Sequence, residues 1–411
     1  MCAETTCNAS ICTRHLRADL HDRNQTVRCS SQRSEPGLVW AVGRILTIRR
    51  QREAAVRIER LSPPPALGTA ESLLFEELVG VLNGISVALW RADDFVETAE
   101  EALAAFRAQD YQEKIVLVAI EDGVVVGRVQ ADFPLDEEAE TMSLLVDVAP
   151  AARGRGIGSA LLAAGEELAA EGGRRVVSAY TEHPAATLGD SVSVIRARAG
   201  SAGLPAESRD VRFALRHGYR LGQVERSSEL LLPLPRAREA GLASTAASAT
   251  GYRAVSWLGH APDELLEPFA ALKARMSTDI PQSGIAVDRE EWTGERVRAQ
   301  ERELAERGEP LLVTAAEHIA TGELAAYTEI AVPADGDKAE QYDTLVALPH
   351  RGHRLGTLVK LQNIHELAHH APHIHRLLTW NADENAPMLA INRAFGFQLH
   401  ALTGHWQKTL G

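Results

Sequence analysis

One stretch decides the fold: Ser143-Leu-Leu-Val-Asp-Val-Ala-Pro-Ala-Ala-Arg153-Gly-Arg-Gly-Ile-Gly158-Ser-Ala-Leu-Leu162. Its plan returns 198 residues later as Tyr342-Asp-Thr-Leu-Val-Ala-Leu-Pro-His-Arg351-Gly-His-Arg-Leu-Gly356-Thr-Leu-Val359. Each copy is an apolar run with strand character, then a proline, then Arg-Gly-x-x-x-Gly at the start of a helical pattern. The sequence therefore predicts a strand-loop-helix unit that occurs twice.

The surroundings of the two copies repeat as well. Two apolar runs precede each unit, and a further strand and a helix ending in Gly-aromatic follow it, at Gly218-Tyr219 and Gly396-Phe397. Between the copies lies a segment rich in small residues and without apolar periodicity, which is typical of a linker. We therefore predict a first domain at 53–235, a linker at 236–250 and a second domain at 251–411.

Composition separates residues 1–52 from the rest. They hold nine arginines against four acids and all four cysteines of the chain, and we predict a poorly ordered basic leader. The remaining chain has no cysteine, which excludes a disulfide or a catalytic thiol there. The overall net charge of −13 argues against nucleic-acid binding, which needs clustered lysine and arginine. No uninterrupted apolar run has the length of a membrane span and the start lacks a signal-peptide core, so the expected location is the cytoplasm.

The repeated loop has the chemistry of an anion site. A helix N-terminus presents unpaired backbone N–H groups, and glycines let a phosphate approach them closely. The first copy supplies Gly154, Gly156 and Gly158, and Arg153 and Arg155 add positive charge. The pattern is neither a P-loop nor a dinucleotide-binding fingerprint, because the Gly-Lys-Ser/Thr and the later acidic residue of those motifs are missing.

The pattern Val148-x-Pro150-x-x-Arg153-Gly-x-Gly156-x-Gly158 resembles the pyrophosphate loop of the GNAT superfamily of acetyl-CoA-dependent N-acetyltransferases. The repeat makes the chain resemble a tandem GNAT protein, and its second half is similar to an actinobacterial subgroup akin to mycothiol synthase. The resemblance covers nearly everything after residue 52. It implies an α+β fold of two GNAT-like domains, each a mixed, mostly antiparallel sheet flanked by helices.

The resemblance also implies how acetyl-CoA binds as the acyl donor. The strand before each loop diverges from the next strand and exposes backbone to the pantetheine arm, while loop amides hold the pyrophosphate. The residues expected to contact the cofactor in the first domain are Val146, Asp147, Val148, Arg153, Gly154, Arg155, Gly156, Ile157, Gly158 and Ser159. Those expected in the second domain are Thr344, Leu345, Val346, Arg351, Gly352, His353, Arg354, Leu355, Gly356, Thr357 and Asn385.

Catalytic candidates follow from the same resemblance. One branch of the family has a glutamate base eleven residues before the first loop residue, a place held by Glu340 in the second domain, with Asp343 as a second carboxylate. Many members have a tyrosine acid four residues before the terminal glycine, a place held by Asn392 here and by Ala214 in the first domain. The expected reaction is acetyl transfer to the amine of a small molecule by direct attack on the thioester, with no metal. The active domain and the oligomeric state stay open.

Two alternatives remain. The missing tyrosine acids favour a regulatory or degenerate protein that binds acetyl-CoA without turnover. His365-Glu366-x-x-His369 matches a zinc-hydrolase motif, with two imidazoles on one helix face, Glu366 as base and His375 at a third-ligand spacing. The glycine of that longer motif is replaced by Pro372, and the helix is already explained as the one that follows the loop.

Overall fold

The computed structural model describes residues 46–47, 56–136, 138–189, 193–279 and 284–411. The predicted leader at 1–52, with its four cysteines, lies outside the described residues except for a two-residue strand, β1 (Leu46–Thr47). All the described residues belong to one compact unit.

The first half alternates strands with four helices. Its strands are β2 (Arg57–Leu61), β3 (Gln112–Glu121), β4 (Val124–Pro134), β5 (Thr141–Val148), β6 (Val176–Pro184), β7 (Val194–Arg196), β8 (Gly203–Pro205) and β9 (Arg220–Leu231). Its helices are α1 (Leu73–Trp90), α2 (Ala99–Arg107), α3 (Ile157–Glu171) and α4 (Arg209–Arg216). Local chemistry sets several boundaries: α2 begins with a reciprocal capping box between Thr98 and Glu101.

The second half follows the same plan. Its helices are α5 (Arg236–Ala246), α6 (Asp263–Lys273), α7 (Met276–Asp279), α8 (Gly294–Glu306), α9 (Leu355–His370) and α10 (Ala386–Phe395). Its strands are β10 (Tyr252–Leu258), β11 (Leu311–His318), β12 (Leu324–Ala331), β13 (Lys338–Val346), β14 (Arg376–Ala382) and β15 (Gln398–Thr409). The segment expected to be a plain linker is thus largely helical, because Leu242 and Ala246 are buried in the core of the second half.

Thirteen of the described strands form one sheet in the order β1-β2-β3-β4-β5-β6-β15-β9-β14-β13-β12-β11-β10. Neighbours are antiparallel except β5 with β6 and β13 with β14, which are parallel. The final strand of each half has crossed over: β15 lies between β6 and β9, and β9 lies between β15 and β14. The predicted domain limits stay a prediction, and the exchange joins both halves into a single sheet.

The exchanged strands supply core residues to the opposite half. Trp406 of β15 is fully buried in the core that Leu144, Leu161 and Val177 form in the first half. Leu230 of β9 is buried among residues of α9 and α10 in the second half. Each core is therefore completed by the other half of the chain.

Among the described helices, α1 is the one long and apolar enough to cross a membrane. Core helices of soluble proteins can have the same length and composition. Phe75, Leu78 and Val79 of α1 are buried against β3 and β4, so one face of the helix packs on the sheet.

We expect Trp406→Ala to destabilise the protein by about 3–5 kcal/mol, the usual cost of removing a fully buried tryptophan. The loss would come from the first half although the residue lies near the C-terminus. Urea unfolding measures it, with Leu399→Ala on the same strand as control: Leu399 is 40% exposed, and its truncation should cost less than about 1 kcal/mol. If both variants lost the same small amount of unfolding free energy, the strand exchange would be contradicted.

Candidate functional site

Each half contains a fork between two parallel strands. β5 and β6 are hydrogen-bonded only from Thr141–Ser143 to Val176–Ser178 and then diverge. β13 and β14 are paired only from Lys338–Gln341 to Arg376–Thr379. Beyond each vertex, backbone N–H and C=O groups of the diverging edges are available to a ligand. The divergence implied by the family resemblance is therefore present twice.

The first fork opens towards the glycine loop. The Arg153 Nε donates to the Val148 carbonyl over 2.8 Å, which folds the loop back on β5. Gly154 and Gly156 have φ values of +77° and +87°, a left-handed conformation in which glycine is unstrained. Gly156 is the N-cap of α3, so the first amides of this helix have no carbonyl acceptor within it. The loop thus presents N–H donors and a positive helix end at the mouth of the fork.

The second loop has the same backbone path with different residues. The Arg351 Nε donates to the Val346 carbonyl over 3.2 Å, which repeats the contact of Arg153. Arg354 occupies the N-cap of α9 with φ +61°, where the first loop has Gly156. A non-glycine residue pays conformational strain of about 1–3 kcal/mol in such a region. The geometry is therefore retained in the second half without the glycine.

The predicted cofactor residues gather at these two forks and loops, one set in each half. Val146 and Val148 pack against the core of the first half, whereas Asp147 lies on the opposite face of β5 and pairs with Arg128 at 3.0 Å. In the second half, the Thr344 hydroxyl lies 2.7 Å from that of Thr328. Asn385 is the N-cap of α10, where its side chain accepts from the Met388 amide.

The two carboxylate candidates of the second half have cationic neighbours. Glu340 accepts from the Lys338 Nζ over 2.8 Å. Asp343 accepts from the Tyr327 hydroxyl over 3.1 Å and lies 3.6 Å from the Lys273 Nζ. The register between β12 and β13 shifts between the pairs Thr328–Thr344 and Ile330–Gln341. Asp343 lies within this irregular segment of β13.

Lys273 forms a buried ion pair that the sequence did not indicate. Its Nζ lies 2.8 Å from the Glu329 carboxylate and 4.5 Å from the centre of the Trp292 ring. Burial opposes the charge of Lys273, but Glu329 and Asp343 together raise its pKa above the usual value. Burial also raises the pKa of Glu329 to about 7, against the pull of Lys273. An internal ammonium therefore lies beside Asp343.

A second buried lysine contacts Asn392. Lys360 is 1% exposed and donates to the Asn392 Oδ1 over 3.0 Å and to the Gln341 Oε1 over 2.5 Å. The Asn392 amide in turn donates to Asn381. Burial lowers the pKa of Lys360 to about 7. The sequence signal for Lys360 was its place on the buried face of α9, next to Val359 and one turn before Asn363.

A cavity of about 220 Å³ lies beside the vertex of the first fork. Thr141, Ser178 and Ala179 form its floor, and His405 of β15 forms part of its wall. The His405 Nε2 lies 2.8 Å from a carboxylate oxygen of Glu225. Sequence reasoning missed this pair, because it is assembled from the exchanged strands and no local spacing connects the two residues.

Further along the first fork, Glu182 shares a face of β6 with Ser178. Burial, followed by the nearby charges of Asp147 and Glu340, raises its pKa to about 7. Since Glu340 belongs to the second half, the two forks contribute to one acidic face of the sheet.

The histidines of the zinc-hydrolase alternative are exposed: His365 and His369 lie on α9, and His375 lies directly before β14. His365 pairs with Glu239 of α5 at 2.8 Å, and Glu366 accepts from Gln362. Across the described ranges, no group of three or more His, Cys, Asp or Glu side chains is arranged to hold a metal ion. No observation of the structure therefore favours metal-dependent hydrolysis.

Each half therefore has a fork between two parallel strands that opens onto a helix start. Residues 85–187 match the model of the acetyltransferase (GNAT) family. The matched part is similar to a GNAT acetyltransferase domain and contains the first fork and its loop.

Solved structures extend the likeness to both halves. A tandem GNAT protein from the clavulanic acid biosynthesis pathway, determined without acetyl-CoA, is 25% identical with a TM-score of 0.65, over 87% of this chain and 99% of that one. A GCN5-related N-acetyltransferase from Sphaerobacter thermophilus is 16% identical with a TM-score of 0.55, over 86% and 95% of the two chains, which shows a shared fold. No curated protein matches the sequence significantly. The chain has the fold of a tandem GNAT protein.

The buried Lys360 leads to a pH prediction. Its pKa falls from 10.5 to about 7 on folding, so between these values the unfolded chain binds more protons than the folded one. The stability of the wild type relative to Lys360→Met should therefore rise with pH over this window, by up to about 1.4 kcal/mol per unit. Urea unfolding from pH 7.5 to 9.5 measures the difference, and Val359→Ala, which removes no titratable group, gives a flat reference. A pH-independent difference for Lys360→Met would contradict the assignment.

Proposed function

We propose that the protein is an acetyl-CoA-dependent N-acetyltransferase that acts in the cytoplasm on the amine of a small molecule. The observation that carries this proposal is the fork that opens onto an unblocked helix N-terminus, present in both halves. The family match to residues 85–187 supports acyl transfer in general. The acetyl donor, the amine acceptor and the compartment are the specific parts of the proposal.

The first loop fits the pyrophosphate of acetyl-CoA. A Cβ added at Gly154 or Gly156 would meet no atom within 4 Å, so open space lies above these residues. The N-terminal amides of α3 and its positive helix end would bind the phosphates. The diverging edge of β5 beyond Ser143 would hydrogen-bond the pantetheine arm. The thioester would then lie near the vertex, where the strands become paired and the opening ends.

The transfer itself needs few groups. The amine nitrogen forms a bond to the thioester carbonyl carbon, the carbon–sulfur bond breaks, a base takes the ammonium proton and the thiolate receives a proton. Glu340 and Asp343 remain base candidates for the second half. Asn392 is a neutral amide whose oxygen already accepts from Lys360, so in that half we assign proton donation to Lys360 and positioning to Asn392.

The alternative of acetyl-CoA binding without turnover is supported in the second half alone. There, Lys273 and Lys360 are both buried. Their ammonium groups contact all three catalytic candidates or their neighbours. A second half that binds the cofactor and a first half that turns it over are compatible with one enzyme.

We expect the full-length protein to release free CoA from acetyl-CoA in proportion to added amine when it is assayed with a panel of small primary amines. Thiol detection with a disulfide reagent measures the release, and mass spectrometry of the amine identifies the N-acetyl product. Tight acetyl-CoA binding without CoA release for any amine would favour the binding protein over the enzyme.

A negative charge placed in either loop should show which half binds acetyl-CoA. Gly156→Glu places a carboxylate beside the phosphates and should weaken calorimetric acetyl-CoA binding to the first half by at least about 100-fold, through like-charge repulsion at the helix start. Gly156→Arg is the matched control, because it imposes the same strain but copies the cation that Arg354 provides in the second loop. Arg354→Glu makes the equivalent change in the second half. Unchanged binding in both glutamate variants would show that the loops do not hold the cofactor.

A further inference from the structure

We infer that the acceptor amine binds in the cavity beside the first fork, and that His405, oriented by Glu225, accepts its proton during transfer. This inference rests on the proposed acetyltransferase function and assigns that function to one half of the chain. The exchanged strand β15 contributes His405 to this site, and β9 contributes Glu225.

The cavity lies where the two substrates would meet. Its lining includes Ser178, which belongs to the last pair of β5 and β6 before these strands diverge, and Thr141, which belongs to the first of their three pairs. An extended donor that enters from the glycine loop would end at this vertex. An amine in the cavity would therefore face the thioester carbonyl from the side opposite α3.

His405 has the geometry of an oriented base. It is opposite Tyr180 in the β6–β15 ladder, and its side chain is 31% exposed beside the cavity. The Glu225 carboxylate only accepts hydrogen bonds, so a neutral imidazole paired with it carries its proton on Nε2. The hydrogen bonds of the described residues include none to the His405 Nδ1. That nitrogen therefore has a free lone pair for the ammonium proton.

The walls of the cavity favour a small cation. Asp136, Asp288 and Glu290 line it together with a single cationic side chain, Arg296. Arg296 lies 3.1 Å from Asp136 and 3.8 Å from Glu290, and Asp288 accepts hydrogen bonds from the Thr141 amide and hydroxyl, so three carboxylates face one guanidinium. The volume of about 220 Å³ is below the ~300–1,000 Å³ of sites for drug-sized ligands. The acceptor class is thus a small, polar primary amine that is protonated in solution.

The second half lacks this arrangement. The residue opposite Trp380 on the exchanged strand β9, which corresponds to His405 opposite Tyr180, is Ser227. Beside the second vertex, Arg376 bridges Asp94 and Glu229 at 2.5 and 2.7 Å. An ion-pair network therefore lies at the second vertex where the first has a cavity and an imidazole.

A tethered amine tests the site without knowledge of the natural acceptor. The four leader cysteines Cys2, Cys7, Cys12 and Cys29 are replaced by serine, which leaves the full chain without cysteine. Ser178→Cys is then introduced and treated with 2-aminoethyl methanethiosulfonate, which attaches an aminoethyl group through a disulfide. After addition of acetyl-CoA, intact-mass spectrometry follows the gain of one acetyl group. The matched control is Ser248→Cys, an exposed serine at the end of α5.

We expect the amine tethered at position 178 to be acetylated at least about 100-fold faster than the one at 248, because positioning replaces a bimolecular encounter. His405→Gln in the tethered protein should lower this rate by about 10²- to 10⁴-fold, the range of general-base catalysis. Glu225→Gln should have a smaller effect of the same sign. The affinity for acetyl-CoA, measured by calorimetry, should stay within twofold of that of the unsubstituted tethered protein in both variants. This result separates loss of the base from misfolding of the donor site.

The possible outcomes distinguish the two proposals. CoA release with free amines, together with equal rates at 178 and 248, would overturn the acceptor site and leave the acetyltransferase function standing. Rapid acetylation at 178 that His405→Gln does not slow would overturn the role of His405. No acetylation at 178 and no release with any free amine would overturn both.

Discussion

The structure depends on the exchange of the two final strands. β9 and β15 each leave the half that precedes them in sequence and pair with each other at the middle of the sheet. Each also borders a strand of the opposite half, since β15 pairs with β6 and β9 pairs with β14, so the central pair joins the strands of both halves into one sheet. The same exchange carries His405 to Glu225. The two cores and the His405–Glu225 pair therefore share one structural cause.

The sequence predicted those parts of the fold that local chemistry determines. Glycines, prolines and apolar periodicity are enough to specify the strand, loop and helix around Arg153 and Arg351, and the structure has both units. The exchange was not predictable, because a final strand has the same alternating pattern whether it pairs within its own half or with the other. The segment 236–250 was expected to be a linker because its residues are small, yet small residues also suit a helix packed closely on α9, and α5 forms there.

The candidate site also has parts that the sequence predicted and parts that it did not. The loops could be located from sequence because their backbone conformation requires particular residues at particular spacings. The positions of Glu340, Asp343 and Asn392 were located as well, but not the contacts they make. Lys338 lies two residues before Glu340 on β13, whereas Lys273 and Lys360 come from α6 and α9. A lysine reads as a solvent-exposed residue in a sequence, and only packing reveals that Lys273 and Lys360 are buried. Those contacts decide what the three candidate residues can do.

Joining two copies in one chain changes what the exchange allows. Two separate, identical chains could swap their last strands only as a symmetric pair that dissociates on dilution, and any substitution would occur in both sites. A covalent link removes the dependence on concentration and frees each copy to change alone. His405 opposite Tyr180 and Ser227 opposite Trp380 show such a divergence at corresponding places. The duplicated chain thereby keeps the strand exchange of a symmetric dimer, while the residues at its two forks can change independently of each other.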